Sequence, residues 1–232
     1  MRTFLFSLLI ASACLSQYVP VPFNKGASGG GAISLVHANV CAGNPQPSGT
    51  ACSITSTTSG NSLVVSINLI NAANTVSTVT DSSGDTFTHV TTGSCPGAGT
   101  SGAGANDFWW IAAATAGTTT VSVTTGAAGT YFTAYEVNKL TGLDATCLTT
   151  NAQGPSTTPT SPSLTNISPI SFIVAVMAPT GNCTGITGAF TNDTTLGGYC
   201  EAHLITSSAG ANQATWTASS STYGSSIVSF KN

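Results

Sequence analysis

Asp81 and Asp85 stand four residues apart around Ser82-Ser83-Gly84, in the stretch VSTVTDSSGDTFTHV (76–90). Two carboxylates so placed are candidate calcium ligands. Calcium takes about six to eight oxygens, and one short loop supplies fewer. The competing reading is a turn. With 82–84 as a three-residue hairpin loop, Gly84 takes the left-handed bulge position. Val79 then faces Phe87, Ser77 faces His89 and Asp81 faces Asp85. Opposed like charges are unfavourable, unless Asp81 accepts backbone N–H groups as in an Asx turn. The turn is the stronger reading, and calcium is the one cofactor kept as an alternative to none.

Three further groups of residues bear on chemistry. Glu201 and His203 lie two apart in YCEAHLITS (199–207), so on a strand they share a face. A third ligand would make them a metal or acid/base site; the alternative is a polar outer face beside Cys200. Glu136, in TYFTAYEVN (130–138), shares a face with Phe132 and Ala134. If that face is core, its carboxyl needs hydrogen-bond partners. Trp109 and Trp110 are adjacent and point to opposite faces of one strand. One fills the core. Trp109 is the candidate for stacking on a sugar ring, with Trp216 and Tyr223 as companions, unless the 94–106 loop covers it. For serine hydrolysis the bases would be His37, His89 and His203, but the chain has no G-x-S-x-G elbow. For glycoside hydrolysis nothing pairs two of the seven acidic residues across a bond. The expectation is a protein that is not an enzyme, with no assigned catalytic residue.

The elements that would hold these residues are strands. The chain has 232 residues, 41% hydrophobic but only 5% charged; Ser, Thr, Gly, Ala and Asn replace the charges. Arg2, Lys25, Lys139 and Lys231 are its only Lys and Arg residues, too few to grip a phosphate backbone, so nucleic acid is not an expected partner. Short runs rich in Val, Ile, Thr, Tyr and Phe are punctuated by Gly, Asn and Ser. They predict about a dozen strands in an all-β, two-sheet antiparallel sandwich with jelly-roll-like connections. SLVVSINLI (62–70) and ISFIVAVMA (170–178), nearly continuous apolar runs, should be its central strands. Residues 151–169 read as a loop crossing between two halves, and no internal repeat is legible. One domain is expected over 31–232.

MRTFLFSLLIASA reads as a signal peptide over residues 1–13, with Arg2, an apolar run and an Ala-Ser-Ala cleavage pattern. Cys14 follows directly and is a lipidation candidate, which would be the protein's membrane attachment. Residues 14–30, with two prolines and a glycine cluster, read as a flexible tether. Removing Cys14 from seven cysteines leaves six, an even set in an exported chain, which implies disulfides. Sequence does not fix their connectivity; the pairs favoured are Cys41–Cys52, Cys95–Cys147 and Cys183–Cys200.

SGNSLVVSI (59–67), VTDSSGDTFTHV (79–90), FWWIAAATAGTTTVSV (108–123), YEVNKLTGLDAT (135–146), ISFIVAVMAPTG (170–181) and IVSFKN (227–232) follow in that order. The series resembles a secreted β-sandwich module of extracellular proteins from Acidobacteria-like environmental bacteria, also seen in phage tail and surface proteins. The resemblance implies an exported module without a settled activity, a structural role for Glu136 and Trp110 in packing. It departs at Asp85, where the family has Asn, and in the cysteines and the 94–106 insertion. The function expected is binding or adhesion at the cell surface, with polysaccharide as ligand. The alternatives are a structural subunit of an extracellular fibre or coat, self-associating through residues 15–30, and a secreted glycoside or ester hydrolase.

Overall fold

A computed structural model describes residues 32–46, 50–70, 74–95, 105–126, 129–179, 181–194 and 199–232. The segments 1–13 and 14–30 read above as a signal peptide and a tether, Cys14 among them, lie outside these residues, as does most of the 94–106 stretch. The described residues form 17 strands and no helix. The first eight are β1 (Leu35–Gln46), β2 (Thr50–Ser53), β3 (Asn61–Leu69), β4 (Val76–Asp81), β5 (Thr88–His89), β6 (Ala105–Ile111), β7 (Thr120–Thr125) and β8 (Thr130–Asn138). They build a five-stranded sheet in the order β1-β8-β3-β6-β5 under a three-stranded sheet β2-β7-β4. Pairing first strand with last, and second with second-to-last, is the wrapping of a jelly roll.

The second half repeats it. The strands are β9 (Gly142–Ser156), β10 (Leu164–Asn166), β11 (Ser171–Pro179), β12 (Cys183–Thr187), β13 (Thr191–Thr194), β14 (Cys200–Thr206), β15 (Gly210–Asn212), β16 (Thr215–Ala218) and β17 (Ser221–Lys231). Their five-stranded sheet runs β9-β17-β11-β14-β13, with β12-β16 and β10-β15 as its outer cover. Strand for strand this is the first sheet again: β1 corresponds to β9, β8 to β17, β3 to β11, β6 to β14 and β5 to β13. The sandwich predicted from the sequence is present twice, within one compact unit over Gly31–Asn232. The repeat is one of topology, which the sequence did not reveal.

The two five-stranded sheets pack face to face, so the molecule has four β layers. This explains the long apolar runs. Leu63, Val65 and Ile67 of β3 point into the first roll's own core, while Val64 points between the rolls. In β11, Ile173, Ala175 and Met177 enter the second roll's core, and Phe172, Val174 and Val176 the space between. A strand buried on both faces reads as continuous hydrophobicity. Each fully buried Phe or Leu contributes about 1.5–3 kcal/mol.

Contacts between the rolls fix their relation. Tyr135 of β8 meets Phe172 at 5.5 Å and His203 at 6.0 Å. Tyr131, four residues back, stacks on Tyr199 at 5.5 Å. Asn106 of β6 donates to Ser226 of β17 at 3.2 Å. Corresponding strands therefore run the same way while sheet order is reversed, which places a pseudo-two-fold axis along the strands. The loops 54–60, 82–87 and 112–119 of the first roll and 167–170, 188–190 and 207–209 of the second consequently share one pole.

Residues 76–90 do not form the expected hairpin. β4 pairs with β7 in the three-stranded sheet, and β5 pairs with β6 in the five-stranded one. The turn 82–84 carries the chain across the sandwich. Val79 and Phe87 are both core residues of the first roll, reached from opposite sheets rather than across a ladder. Gly84 does adopt the left-handed conformation expected, at φ 78°.

Cys41–Cys52 and Cys95–Cys147 are bonded. The second joins the rolls, because Cys147 lies in β9. Ser94 N–H also donates to the Cys147 carbonyl at 2.9 Å, and Thr149 N–H to Ser94 Oγ at 3.0 Å. Gly93, at φ 76°, has no room for a Cβ, which would fall 2.0 Å from the Cys147 oxygen. Cys183 and Cys200 are buried thiols. A hydrogen bond with Cys200 holds Cys183 below the usual thiol range, while burial pushes Cys200 up. Two adjoining thiols should oxidise in an oxidising compartment, the one expected from the N-terminal sequence. Peptide mapping of non-reduced protein is expected to recover 183 and 200 as one cross-linked pair; alkylation of both in undenatured protein would contradict this.

Candidate functional site

The shared pole of the first roll is built from three loops tied by side chains. Asp81 Oδ1 accepts from Ser83 N–H and Asp85 N–H, each at 3.0 Å, the Asx-type arrangement. Asp85 turns outward to the 112–119 loop: its Oδ2 accepts Thr115 N–H and its Oδ1 the Thr115 hydroxyl, both at 2.7 Å. Burial raises the Asp85 carboxyl, but these bonds outweigh it and hold the group below the usual carboxylate range. Thr118 Oγ1 reaches Ser83 Oγ at 2.8 Å, and Thr119 N–H donates to Ser82 Oγ at 3.0 Å. The 54–60 loop joins through Thr57, whose hydroxyl donates to the Thr115 carbonyl at 2.7 Å and accepts Thr118 N–H at 3.1 Å. Glu136 anchors that loop from β8, accepting Thr58 N–H at 2.8 Å and the Asn61 amide at 2.6 Å. These are the hydrogen-bond partners that a carboxyl on a core-facing strand position requires. His37 Nε2 lies 3.9 Å from its other oxygen.

A second cluster sits where β5 meets β6. Asp107, almost fully buried, accepts His89 Nε2 at 2.7 Å, Phe108 N–H at 2.8 Å and Trp109 Nε1–H at 3.1 Å. His89 and Trp109 stack nearly parallel, with centroids 4.4 Å apart. A carboxylate thus fixes an imidazole and an indole as one rigid pair, with His89 about a quarter exposed.

A third cluster lies between the rolls. Glu201 of β14 is fully buried and faces β8. Tyr199 OH donates to its Oε2, while Oε1 has no partner. Tyr135 OH donates to Asp193 Oδ2 at 2.8 Å, and His203 Nδ1 lies 2.7 Å from Asp193 Oδ1. Burial, and secondarily the charge of Asp193, push the Glu201 carboxyl up to about 8. Burial raises the Tyr199 and Tyr135 phenols as well.

The structure separates what the sequence grouped. Trp109 is half-buried against the first roll's core, one face on His89. Trp216 is completely buried in the second roll's core, and Tyr223 is buried beside it. These three rings form no common stacking platform: the second roll needs Trp216 to fill the space under its small outer sheet. Trp110 packs between the rolls on Phe230 at 5.6 Å, the packing role expected of it. Glu201 and His203 do share a face, but it is the interface between the rolls, not an outer face. Among the described residues no group of three or more His, Cys, Asp or Glu side chains gathers.

Two residues escaped sequence reading. Asp107 carries the His89–Trp109 cluster, and Asp144 ties the second roll's pole, accepting Ile167 N–H at 2.9 Å, Ser168 N–H at 2.8 Å and Ser171 Oγ at 3.0 Å. Burial raises Asp144, and these bonds more than reverse it. Position offered one signal: each is a lone acid at the margin of a hydrophobic strand. The chain matches no protein-family model, no curated protein and no solved structure.

Proposed function

We propose that the protein is exported and works at the cell surface as a non-enzymatic binding or adhesion module, with neutral polysaccharide as its ligand. One observation carries this reading: the tied loops at the pole of the first roll. They expose the side chains of Ser56, Thr58, Ser82, Ser83, Thr115 and Thr119, three of whose hydroxyls also tie the loops together, on a backbone already fixed by Asp85, Thr57 and Glu136. A pre-ordered surface loses little entropy on binding. Its hydroxyls match a polyhydroxylated, uncharged ligand. The signal peptide supports export, and lipidation at Cys14 would supply attachment.

The test is binding of the mature, oxidised protein to a polysaccharide panel, with calcium and with EDTA. Binding is expected in both buffers and should weaken at least about tenfold in Asp85→Ala, which releases the 112–119 loop, a loss of about 1.4 kcal/mol. Loss in Trp109→Ala instead would move the site to the His89–Trp109 pair, and loss in EDTA would make Asp81 and Asp85 calcium ligands. Absence of binding to every glycan removes the proposal.

A structural role in a fibre or coat is favoured by a different feature. β1 is an outer strand of its sheet, paired on one side with β8, and such an edge is a template for an added strand. Residues 15–30 of a neighbouring copy are the segment proposed for it. Self-association that vanishes on deleting 15–30 would establish this role.

A further inference from the structure

The interface between the rolls is apolar toward the shared pole and polar toward the other. Phe108, Trp110, Tyr135, Phe172 and Phe230 fill the first part. In the second part Asn68 bonds Asn106 at 2.9 Å, Thr133 Oγ1 lies 3.3 Å from Tyr199 OH, and Ser66 Oγ, Asn68 Oδ1 and Glu201 Oε1 are buried without partners. Native interiors leave few polar atoms in that state. Here three come from the two facing sheets, and one belongs to a carboxyl.

The groups facing Glu201 decide its charge. From β8 come Tyr135 and the Thr133 hydroxyl, from β13 Asp193, and from the residue before its own strand Tyr199; behind these, Ser66 of β3 adjoins Tyr199 and His203 adjoins Asp193. Among the described residues no cation adjoins Glu201 directly, and the nearby base His203 is engaged by Asp193. An ionised Glu201 would add a second negative charge beside Asp193, and the Thr133, Tyr199 and Tyr135 hydroxyls around it lower its carboxyl less than burial and Asp193 raise it. A buried carboxyl so placed keeps its proton.

We propose that Glu201 is a proton lock on the seam between the two jelly rolls: protonated, it lets the polar half of the seam stay closed; ionised, it draws water in and loosens the rolls from each other. The step is loss of one proton from the Glu201 carboxyl to solvent, with no other bond changed. Cys95–Cys147 keeps the rolls tethered while the seam opens. The lock does not depend on which ligand the loops bind.

The experiment is a titration of the intact protein. Glu136 and Glu201 are its only glutamates, so selective carbon labelling yields two side-chain carboxyl signals, assigned with Glu136→Gln. The Glu201 signal should titrate near 8. Amide exchange in β3, β8 and β11, corrected for its intrinsic pH dependence, should speed up by about tenfold per pH unit between pH 5 and 8. Glu201→Gln should abolish that acceleration. Asp193→Asn, which removes the neighbouring charge, should lower the midpoint even if the Gln variant folds poorly. A Glu201 signal titrating in the ordinary carboxylate range overturns the lock. So does central-strand exchange indifferent to pH, or the same acceleration persisting in Glu201→Gln.

Discussion

The free energy of unfolding is expected to fall as pH rises from 5 to 8, by up to about 1.4 kcal/mol per pH unit. The cause is Glu201. Its folded value is raised to about 8 from an ordinary 4.5. Between those values the folded chain holds a proton that the unfolded chain has released, so the unfolded state binds fewer protons and stability drops with rising pH. The contribution is fully present below the unfolded value and gone once pH passes the folded one. The whole shift amounts to about 5 kcal/mol at most, a large share of the 5–15 kcal/mol, roughly, that holds a domain folded. Asp85 and Asp144 act with the opposite sign. Their carboxyls are held low by hydrogen bonds, so their contributions are lost only as pH falls below the ordinary carboxylate range. Stability should therefore peak in mild acid. Urea unfolding at a series of pH values measures this directly, and Glu201→Gln should level the slope from pH 5 to 8. A wild-type profile already level over that range would show that the buried carboxyl does not govern stability.

Replacing Asp107 by alanine is expected to cost about 3–5 kcal/mol, because a buried donor left without its acceptor costs about 1–3 kcal/mol. Three donors would lose their acceptor at once: Phe108 N–H, Trp109 Nε1–H and His89 Nε2. Two of the three are the stacked rings, so the damage should also be optical. Trp109 fluorescence should shift toward that of a solvated indole while the protein is still folded. Asp107→Asn keeps one acceptor oxygen for His89 and Phe108 N–H but turns its NH2 toward Trp109 Nε1–H, so it should cost about 1–3 kcal/mol, the loss of that one buried bond. Paired denaturation curves give both values. An alanine variant within about 1 kcal/mol of wild type would mean that the rings hold themselves by stacking alone.

Much of the fold was legible because burial on both faces leaves a local trace. SLVVSINLI and ISFIVAVMA are apolar without alternation, and they became β3 and β11, the centres of the two facing sheets. The turn at Gly84 was legible too, since Asp81 and the glycine are only three residues apart in the chain. What failed was partner choice. VSTVTD alternates in the same way whether β4 pairs with β5 or with β7, and only the closed sandwich selects β7. The repeat stayed hidden because its two copies keep the pairing and change the residues. Trp110 stands opposite Val64 in the first roll; His203 stands opposite Val174 in the second. Trp216 looked like a free ring because nothing local distinguishes a tryptophan under a two-stranded cover from one above it. Glu201 was read as outer-facing for a related reason. Alternation gives the side of a sheet but not what is stacked on that side.

The three residues 139–141 are all that separate β8 from β9, and Ser34, Asn138, Thr141 and Lys231 meet there: Asn138 N–H donates to the Ser34 carbonyl at 3.1 Å and Thr141 N–H to that of Lys231 at 2.8 Å. With an axis of near symmetry along the strands, this is the geometry of a homodimer whose subunits have been fused into one polypeptide. Fusion frees each copy from having to complement itself. A glutamic acid at a symmetric seam would be present twice, once on each side of the axis, whereas here Glu201 stands on β14 and its counterpart strand β6 carries none. A single ionisable group at the seam is thus open to a tandem gene and closed to a pair of identical chains.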